Sequence, residues 1–519
     1  MNGADILCET LLANDIDTCF ANPGTSEMHF VAALDRKPAM RCVLGLSEGV
    51  VTGAADGYAR MAQKPAATLL HLGPGLANGL ANIHNARRAI TPMVNIVGDH
   101  ASWHLAHDSP LTTDIESLAR PMSHQVRRIA NAADVSRAAA EAISVARTPP
   151  GQIATLILPA DAAWDEAPET IARAEPLPAW RPGETRIREA ADAIRSGMQS
   201  GADVVMLLAG TALRGRALVT AGRIAKATGV RIMAQQSNAR VERGAGRVAI
   251  DRVPYVVDRA LACFTETRRL ILIGAKAPVT FFGYPGKPSS VLPEQCVVLE
   301  TAGPGDDLEG ALDALADLLG VGSDVIPAVG ERSSGELPDG HLTTAAIARS
   351  LAVLSPEGAI LCDESVSSGR EFFPATYGAA PHDFLQLTGG AIGLGLPMAT
   401  GAAIACPDRK VIGLQADGSA MYTVQALWTQ ARERLDVVTV VFANRRYNIL
   451  HNELQMVGAG EPGRNARRML DLVDPALDWV HLAMGLGVEA ARANDAAQFN
   501  DLLRQAVVRR GPFLIEAVI

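Results

Sequence analysis

Aromatic residues make up only 4% of the 519 positions, and the seven cysteines are scattered. Cys8, Cys19, Cys42, Cys263, Cys296, Cys362 and Cys406 are odd in number and form no CxxC pair. That pattern speaks against a disulfide framework and predicts reduced, mostly buried thiols in a cytosolic protein. No apolar run reaches transmembrane length, and Met1-Asn2-Gly3-Ala4-Asp5 is no signal peptide. Net charge is −9 without a long run of either sign, which argues against nucleic-acid and membrane partners. No clean GxGxxG follows a strand in the middle of the chain, so there is no dinucleotide fingerprint. What is plentiful is aliphatic: 48% of residues are hydrophobic against 20% charged. That profile is globular, and the length predicts about three domains.

Short apolar runs alternate with helical periodicity throughout, which predicts three α/β units with parallel sheets. The first spans 1–165, with strands at Thr18–Phe20, Cys42–Leu46, Ala67–Leu72, Met93–Val97 and Ile153–Leu158. Gly73-Pro74-Gly75 is expected to break the chain after Leu72. Ala163–Arg186, rich in Pro and charge, is a linker to a middle unit over 187–320. Its strands are Val204–Leu208, Arg231–Ala234, Leu270–Ile273 and Cys296–Leu299, and its one aromatic cluster is Phe281-Phe282-Gly283-Tyr284. A second linker, Gly320–Gly340, leads to a third unit over 341–519.

The stretch Val411–Leu450 dominates the third unit: strand Val411–Gln415, a turn at Ala416-Asp417-Gly418-Ser419, a helix over Tyr422–Arg434 and strand Val437–Phe442. Parallel neighbours end at one sheet edge, so Asp417 and Asn444, 27 positions apart, are expected to meet there. Their hard oxygens suit Mg²⁺ with a diphosphate as co-ligand. Gly418 and Ser419 offer backbone N–H groups to phosphate. Ser367 and Ser368 follow the strand Ile360–Asp363 and offer hydroxyls, and the glycines of Leu387–Pro397 let a ligand approach the backbone closely. In the first unit, Glu48 opens a helix whose next seven residues carry no charge. A carboxyl so placed is expected to have a raised pKa, as a proton-carrying group needs near neutral pH.

Asp417-Gly418-Ser419 with Asn444 resembles the diphosphate signature of thiamine-diphosphate enzymes, with Ala416 and Ala443 in place of the usual Gly and first Asn. SEGVVTGAADGYAR and LLHLGPGLANGLANIHNA resemble the pyrimidine-binding domain of the same superfamily. NPGTSE, LLHLGPG and DSPLTTDIESLARP are most similar to the benzoylformate decarboxylases. The resemblance spans essentially the whole chain. It implies a pyrimidine-binding, a middle and a diphosphate-binding domain, with thiamine diphosphate and Mg²⁺ as cofactors. It further implies that Glu48 protonates the cofactor's aminopyrimidine, while His71 and Thr25 handle substrate and protons. The Gly390 carbonyl would accept from the 4′-amino group, and Ile392 would wedge the cofactor into its V shape. Asp417, Asn444 and the Arg446 carbonyl would bind the metal. Gly418, Ser419, Ser367 and Ser368 would hold the diphosphate, with Asn444, Tyr447 and Ile449 also lining the cofactor site. The middle domain, which carries FAD in some members, is short here and expected to be empty.

The activity implied is non-oxidative decarboxylation of a small-molecule 2-keto acid. The alternatives are an FAD-independent acetolactate synthase-type carboligase and, more remotely, a weakly active regulatory paralogue. Superfamily sites form between subunits, which implies a homodimer or homotetramer. The sequence departs from benzoylformate decarboxylases at three places. The loop Pro278–Tyr284 lacks a second active-site His, for which His100, His104 or His107 could substitute. Glu453 stands where those enzymes have an apolar pocket residue, and Arg445-Arg446 replace small residues.

Overall fold

The structure, a computed structural model, describes residues 1–519. Three sheets form. The first has six parallel strands in the order Arg41–Leu44, Thr18–Asn22, Ala66–Leu70, Met93–Asp99, Ile153–Pro159 and Gln125–Arg128. The second has five, ordered Asp251–Arg252, Arg231–Ala234, Asp203–Leu208, Thr267–Ile273 and Val297–Ala302. The third has six parallel strands: Glu489–Ala493, Phe513–Val518, Val437–Ala443, Val411–Ala416, Ile360–Glu364 and His382–Gln386. Val241–Arg243, from the stretch expected to belong to the middle unit, adds to its edge antiparallel to His382–Gln386. Central strands such as Met93–Asp99 and Val437–Ala443 are buried at every position, because helices cover both faces. No helix is long and apolar enough to cross a membrane.

The first and third units meet through the helices Glu48–Ala62 and Gly395–Ala405. Every residue from Glu48 to Met61 is buried. A Cβ on Gly57 would lie 2.1 Å from the Met398 carbonyl oxygen, and one on Gly401 would lie 1.8 Å from that of Ala54. The two backbones therefore touch, and only glycine fits at either position. Beside this contact Arg60 and Asp56, both buried, form a two-bonded ion pair of 2.7 and 2.8 Å. Arg60 also donates to the Gln386 carbonyl at 2.7 Å, tying the first unit to the third.

Several local expectations are corrected. Gly73-Pro74-Gly75 does not break the chain; it forms the first turn of an 18-residue helix, Leu72–Ala89. Proline is tolerated there because a first-turn N–H has no intrahelical acceptor. The helix expected over Tyr422–Arg434 begins only at Ala426, after a short helix Asp417–Ala420, since Thr423 turns its hydroxyl to the Gly393 carbonyl at 2.8 Å. The first helix of the middle unit starts at Glu184, inside the expected linker. Three of the seven thiols are buried rather than most, and Cys42 is exposed. The strands Gln125–Arg128, His382–Gln386 and Glu489–Ala493 were hidden by their polar residues. Those charges are neutralised by distant partners, as in Arg128–Asp99, Arg240–Asp383 and Arg492–Glu516.

Candidate active site

Glu48 is the first residue of its helix because the Ser47 hydroxyl caps it, accepting the Gly49 N–H at 3.3 Å. Its carboxyl is 6% exposed, and Oε2 accepts from Asn78 Nδ2 at 3.1 Å. A Cβ on Gly75 would fall 2.8 Å from Glu48 Oε1 and 3.3 Å from the His71 Cβ. The Glu48 carboxyl and the His71 Cβ thus flank the same bare patch of backbone. His71 ends the strand Ala66–Leu70 and lies flat on Gly24, where any Cβ would sit 2.2 Å from Nδ1. Nδ1 is 2.8 Å from Oε2 of Glu27. The other imidazole nitrogen has no protein partner.

Glu27 is a site residue that the sequence did not single out. It is 1% exposed, and its Oε2 also takes the Gly24 N–H at 2.8 Å. Its Oε1 is buried without a partner beside Gly98, whose missing Cβ makes the room. Position 27 sits in NPGTSE, so the signal was a carboxylate inside the resembling stretch. Thr25, one turn away, is exposed at the start of the turn Thr25–Glu27.

The sheet edge brings Asp417 and Asn444 together as expected. Asp417 Oδ2 accepts the Arg445 N–H at 2.6 Å, next to Asn444. Arg445 adopts φ +57°, a left-handed conformation uncommon outside glycine and asparagine. Burial pushes the Asp417 carboxyl up to about 6, against the opposing N–H bonds of Arg445 and Gly418. No side chain forms an ion pair with it; the Arg445 charge favours the ionised form least of these influences, and a divalent cation at this point would favour it further. No protein donor is bonded to the Arg446 carbonyl, while Asn444 Oδ1 takes the Arg446 N–H at 3.0 Å; the Asp417 and Asn444 oxygens and this carbonyl are donors of the kind Mg²⁺ takes. The Gly418 N–H, however, is occupied by Asp417 Oδ1 at 2.8 Å, and the Ser419 hydroxyl donates to the Ala416 carbonyl at 3.1 Å. The Tyr447 ring lies on Gly418, where a Cβ would come within 2.4 Å. Ser367 Oγ accepts from Asn448 Nδ2 at 3.4 Å, Ser368 is buried one residue on, and Ile449 lies half-buried in the helix Asn448–Met456.

The glycine-rich loop carries Gly390 at φ +77° and Gly393 at φ +99°, with Ile392 half-buried between them. A second missed residue holds it. Glu364, 2% exposed at the end of its strand, accepts the Gly393 N–H at 2.6 Å and also that of Gly395. Burial raises this carboxyl to about 7, although those N–H bonds oppose the shift. Its sequence signal was a carboxylate directly between an apolar strand and the serines. Phe281, from the middle unit, packs on Gly390: a Cβ there would lie 2.7 Å from Phe281 Cζ. His100, His104 and His107 cluster with ring centroids 5.6 Å apart. A cavity of about 710 Å³ lies between the first and middle units and is lined by none of the candidate site residues.

Within one chain the first unit holds the glycine-rich loop: Asn82 Nδ2 donates to the carbonyls of both Gly49 and Gly393, at 2.8 and 3.2 Å, and Asn85 Nδ2 donates to the Ala391 carbonyl at 2.7 Å. Residues 1–118 match the model of the thiamine pyrophosphate enzyme N-terminal binding domain, and 373–517 match the C-terminal one. The chain is 49% identical, over 100% of its length and 99% of the other, to the Mycobacterium tuberculosis protein named "Putative acetolactate synthase large subunit IlvX". It is 28% identical to the Pseudomonas aeruginosa benzoylformate decarboxylase, over 98% and 97% of the two chains. The thiamine diphosphate-dependent 4-hydroxybenzoylformate decarboxylase of Rhodococcus jostii shares its fold, with a TM-score of 0.86 at 24% identity over 99% and 98% of the two chains. A buried Glu beside a His in the first unit and an Asp–Asn pair at the sheet edge of the third accord with those matches, and the chain belongs to the thiamine-diphosphate-dependent enzymes of the decarboxylase and acetolactate synthase family.

Proposed function

We propose that the protein catalyses non-oxidative decarboxylation of a 2-keto acid with thiamine diphosphate and Mg²⁺. The observation that carries this reading is the His71–Glu27 pair beside Glu48. When bound, the cofactor supplies a nucleophilic carbon and an electron sink for the departing carboxylate. Glu48 holds a proton at the aminopyrimidine ring. Glu27 fixes the His71 tautomer through Nδ1, which leaves the other nitrogen to exchange a proton with substrate. Thr25, exposed in the turn that carries Glu27, handles the substrate with His71. Gly390 and Ile392 orient the cofactor rings. Asp417, Asn444 and the Arg446 carbonyl would hold Mg²⁺, and Ser367 and Ser368 would face the diphosphate with Tyr447 and Ile449 against it; the Gly418 N–H and the Ser419 hydroxyl would join them by releasing Asp417 Oδ1 and the Ala416 carbonyl.

We read the working enzyme as a homodimer or homotetramer, the assembly that its resemblance implies. The exposed apolar side chains Leu46, Met421 and Tyr422 support that assembly. A second reading, acetolactate-type carboligation, draws support from the 49% identical relative's name. Purified protein incubated with Mg²⁺, thiamine diphosphate and a 2-keto acid panel separates the two. Aldehyde release supports decarboxylation, acetolactate from pyruvate supports carboligation, and no product from any keto acid rejects both.

A further inference from the structure

The helix Leu72–Ala89 of the first unit grips the glycine-rich loop of the third through its polar side chains. Asn85 and Asn82 on that helix are 0% and 2% exposed. Asn85 Oδ1 accepts the Ala391 N–H at 3.2 Å, while Asn85 Nδ2 donates to the Ala391 carbonyl at 2.7 Å and to Asn82 Oδ1 at 2.9 Å. With Asn82 Nδ2 committed to the Gly49 and Gly393 carbonyls, only one orientation of the Asn85 carboxamide satisfies every bond. The Thr388 hydroxyl donates to the Asn85 main-chain carbonyl at 2.9 Å, and His84 Nε2 lies 3.1 Å from the Gly389 carbonyl. Gly389 has to be bare, because a Cβ there would lie 2.5 Å from Asn85 Oδ1.

The carbonyls of Gly389, Ala391 and Gly393 each have a side-chain partner on this helix, and Thr423 adds a second bond to Gly393. The Gly390 carbonyl has no protein donor. Gly390 is exposed, and Phe281 covers the side where its Cβ would stand. With φ at +77° and no side chain, Gly390 lets the peptide that follows it rotate at low cost. In a planar trans peptide the carbonyl of one residue points opposite to the N–H of the next. Asn85 Oδ1, by pinning the Ala391 N–H, therefore fixes this peptide and turns the Gly390 carbonyl away from the helix.

We infer that Asn85 is a positioning residue for the cofactor: it fixes the Gly390–Ala391 peptide so that the Gly390 carbonyl stands aimed at the cofactor's 4′-amino group. The inference rests on the reading that places Gly390 at the aminopyrimidine. Asn85 acts through the peptide, and its contribution is preorganisation, since a carbonyl already aimed loses little freedom when the amino group arrives. The helix that carries Asn85 begins directly after His71. One rigid element thus joins the turn that holds the imidazole to the clamp on the cofactor loop.

The test titrates the full-length protein with Mg²⁺ present by calorimetry, using thiamine diphosphate and 4′-deaminothiamine diphosphate, which lacks only the amino group. The wild type is expected to bind the natural cofactor about tenfold more tightly, as one well-placed hydrogen bond allows. Asn85→Ala should weaken thiamine diphosphate by about that factor and leave the deamino analogue unchanged, so the ratio falls towards one. Asn85→Leu, which nearly keeps the volume, should give the same ratio and serves if the alanine variant does not fold. Asn85→Asp retains an acceptor for the Ala391 N–H and should restore most of the ratio. Equal losses for both ligands mark a merely structural role and overturn the inference, as does a ratio unchanged in Asn85→Ala and Asn85→Leu, or one as low in Asn85→Asp as in those variants. A wild type that binds both ligands equally overturns the Gly390 contact and the inference with it. An Asn85-dependent ratio in a protein that turns over no 2-keto acid upholds the inference and rejects the decarboxylase reading.

Discussion

His71 Nδ1 lies 2.8 Å from Glu27 Oε2, and that same oxygen takes the Gly24 N–H at 2.8 Å. One buried carboxylate oxygen therefore fixes both the imidazole and the loop that carries Thr25. In Glu27→Gln the amide oxygen can keep both bonds while the charge is lost. We expect kcat to fall by roughly 10²–10⁴-fold, the range of general acid–base contributions, with cofactor affinity unchanged. Steady-state kinetics with a cofactor titration check this. Wild-type turnover would show that the pair is structural only.

Asp417 is a buried carboxylate held only by backbone N–H groups. Stripping divalent metal with a chelator should abolish turnover, and Mg²⁺ should restore it. Asp417→Asn should raise the Mg²⁺ needed for half-activation by about tenfold or more. Full activity after chelation contradicts the assigned metal site.

Glu364 couples the glycine-rich loop to pH. Burial raises its folded-state value from the ordinary 4.5 to about 7. Between those values the folded chain retains a proton that the unfolded chain has released. Its stabilising contribution is thus complete below about pH 4.5 and is lost as pH rises towards about 7. The neutral Glu364→Gln variant lacks this titration. Relative to it, wild-type stability should decline by up to about 1.4 kcal/mol per pH unit across that window. Urea denaturation of both proteins at pH 4.5, 5.5, 6.5 and 7.5 measures the difference; a constant offset would refute the assignment.

Gly401 is a purely geometric requirement. A methyl group there must displace the Ala54 carbonyl, which its Cβ would approach to 1.8 Å. Gly401→Ala should cost roughly 1–3 kcal/mol or more through overpacking between the two helices. A melting temperature equal to that of the wild type is the opposing result.

Much of the site was legible because the chemistry comes in short stretches. Asp417 and Asn444 were paired from strand ends alone, since neighbouring parallel strands must finish at one edge. Glu48 stood out because it precedes an uncharged helix. Glu27 and Glu364 were not legible as site residues. Each looks like an ordinary polar residue at an element end, and each becomes notable only where the fold encloses it: Glu27 against Gly98, Glu364 under the Gly393–Gly395 turn. Gly73-Pro74-Gly75 shows the converse, a strong turn signal overridden by its place in a first helical turn.

The sequence by itself determined the α/β alternation and the three units, because periodicity and local spacing are properties of neighbours along the chain, and its short stretches marked the candidate residues for the chemistry. Tertiary structure alone decided which charged strands could be buried, why Gly57 and Gly401 must lack side chains, and that Phe281 of the middle unit covers Gly390 of the third. It also decided that Glu453 meets Tyr255 and Tyr284 across 198 and 169 positions. Those contacts depend on how separate elements close on one another, and no local pattern in the chain encodes that distance.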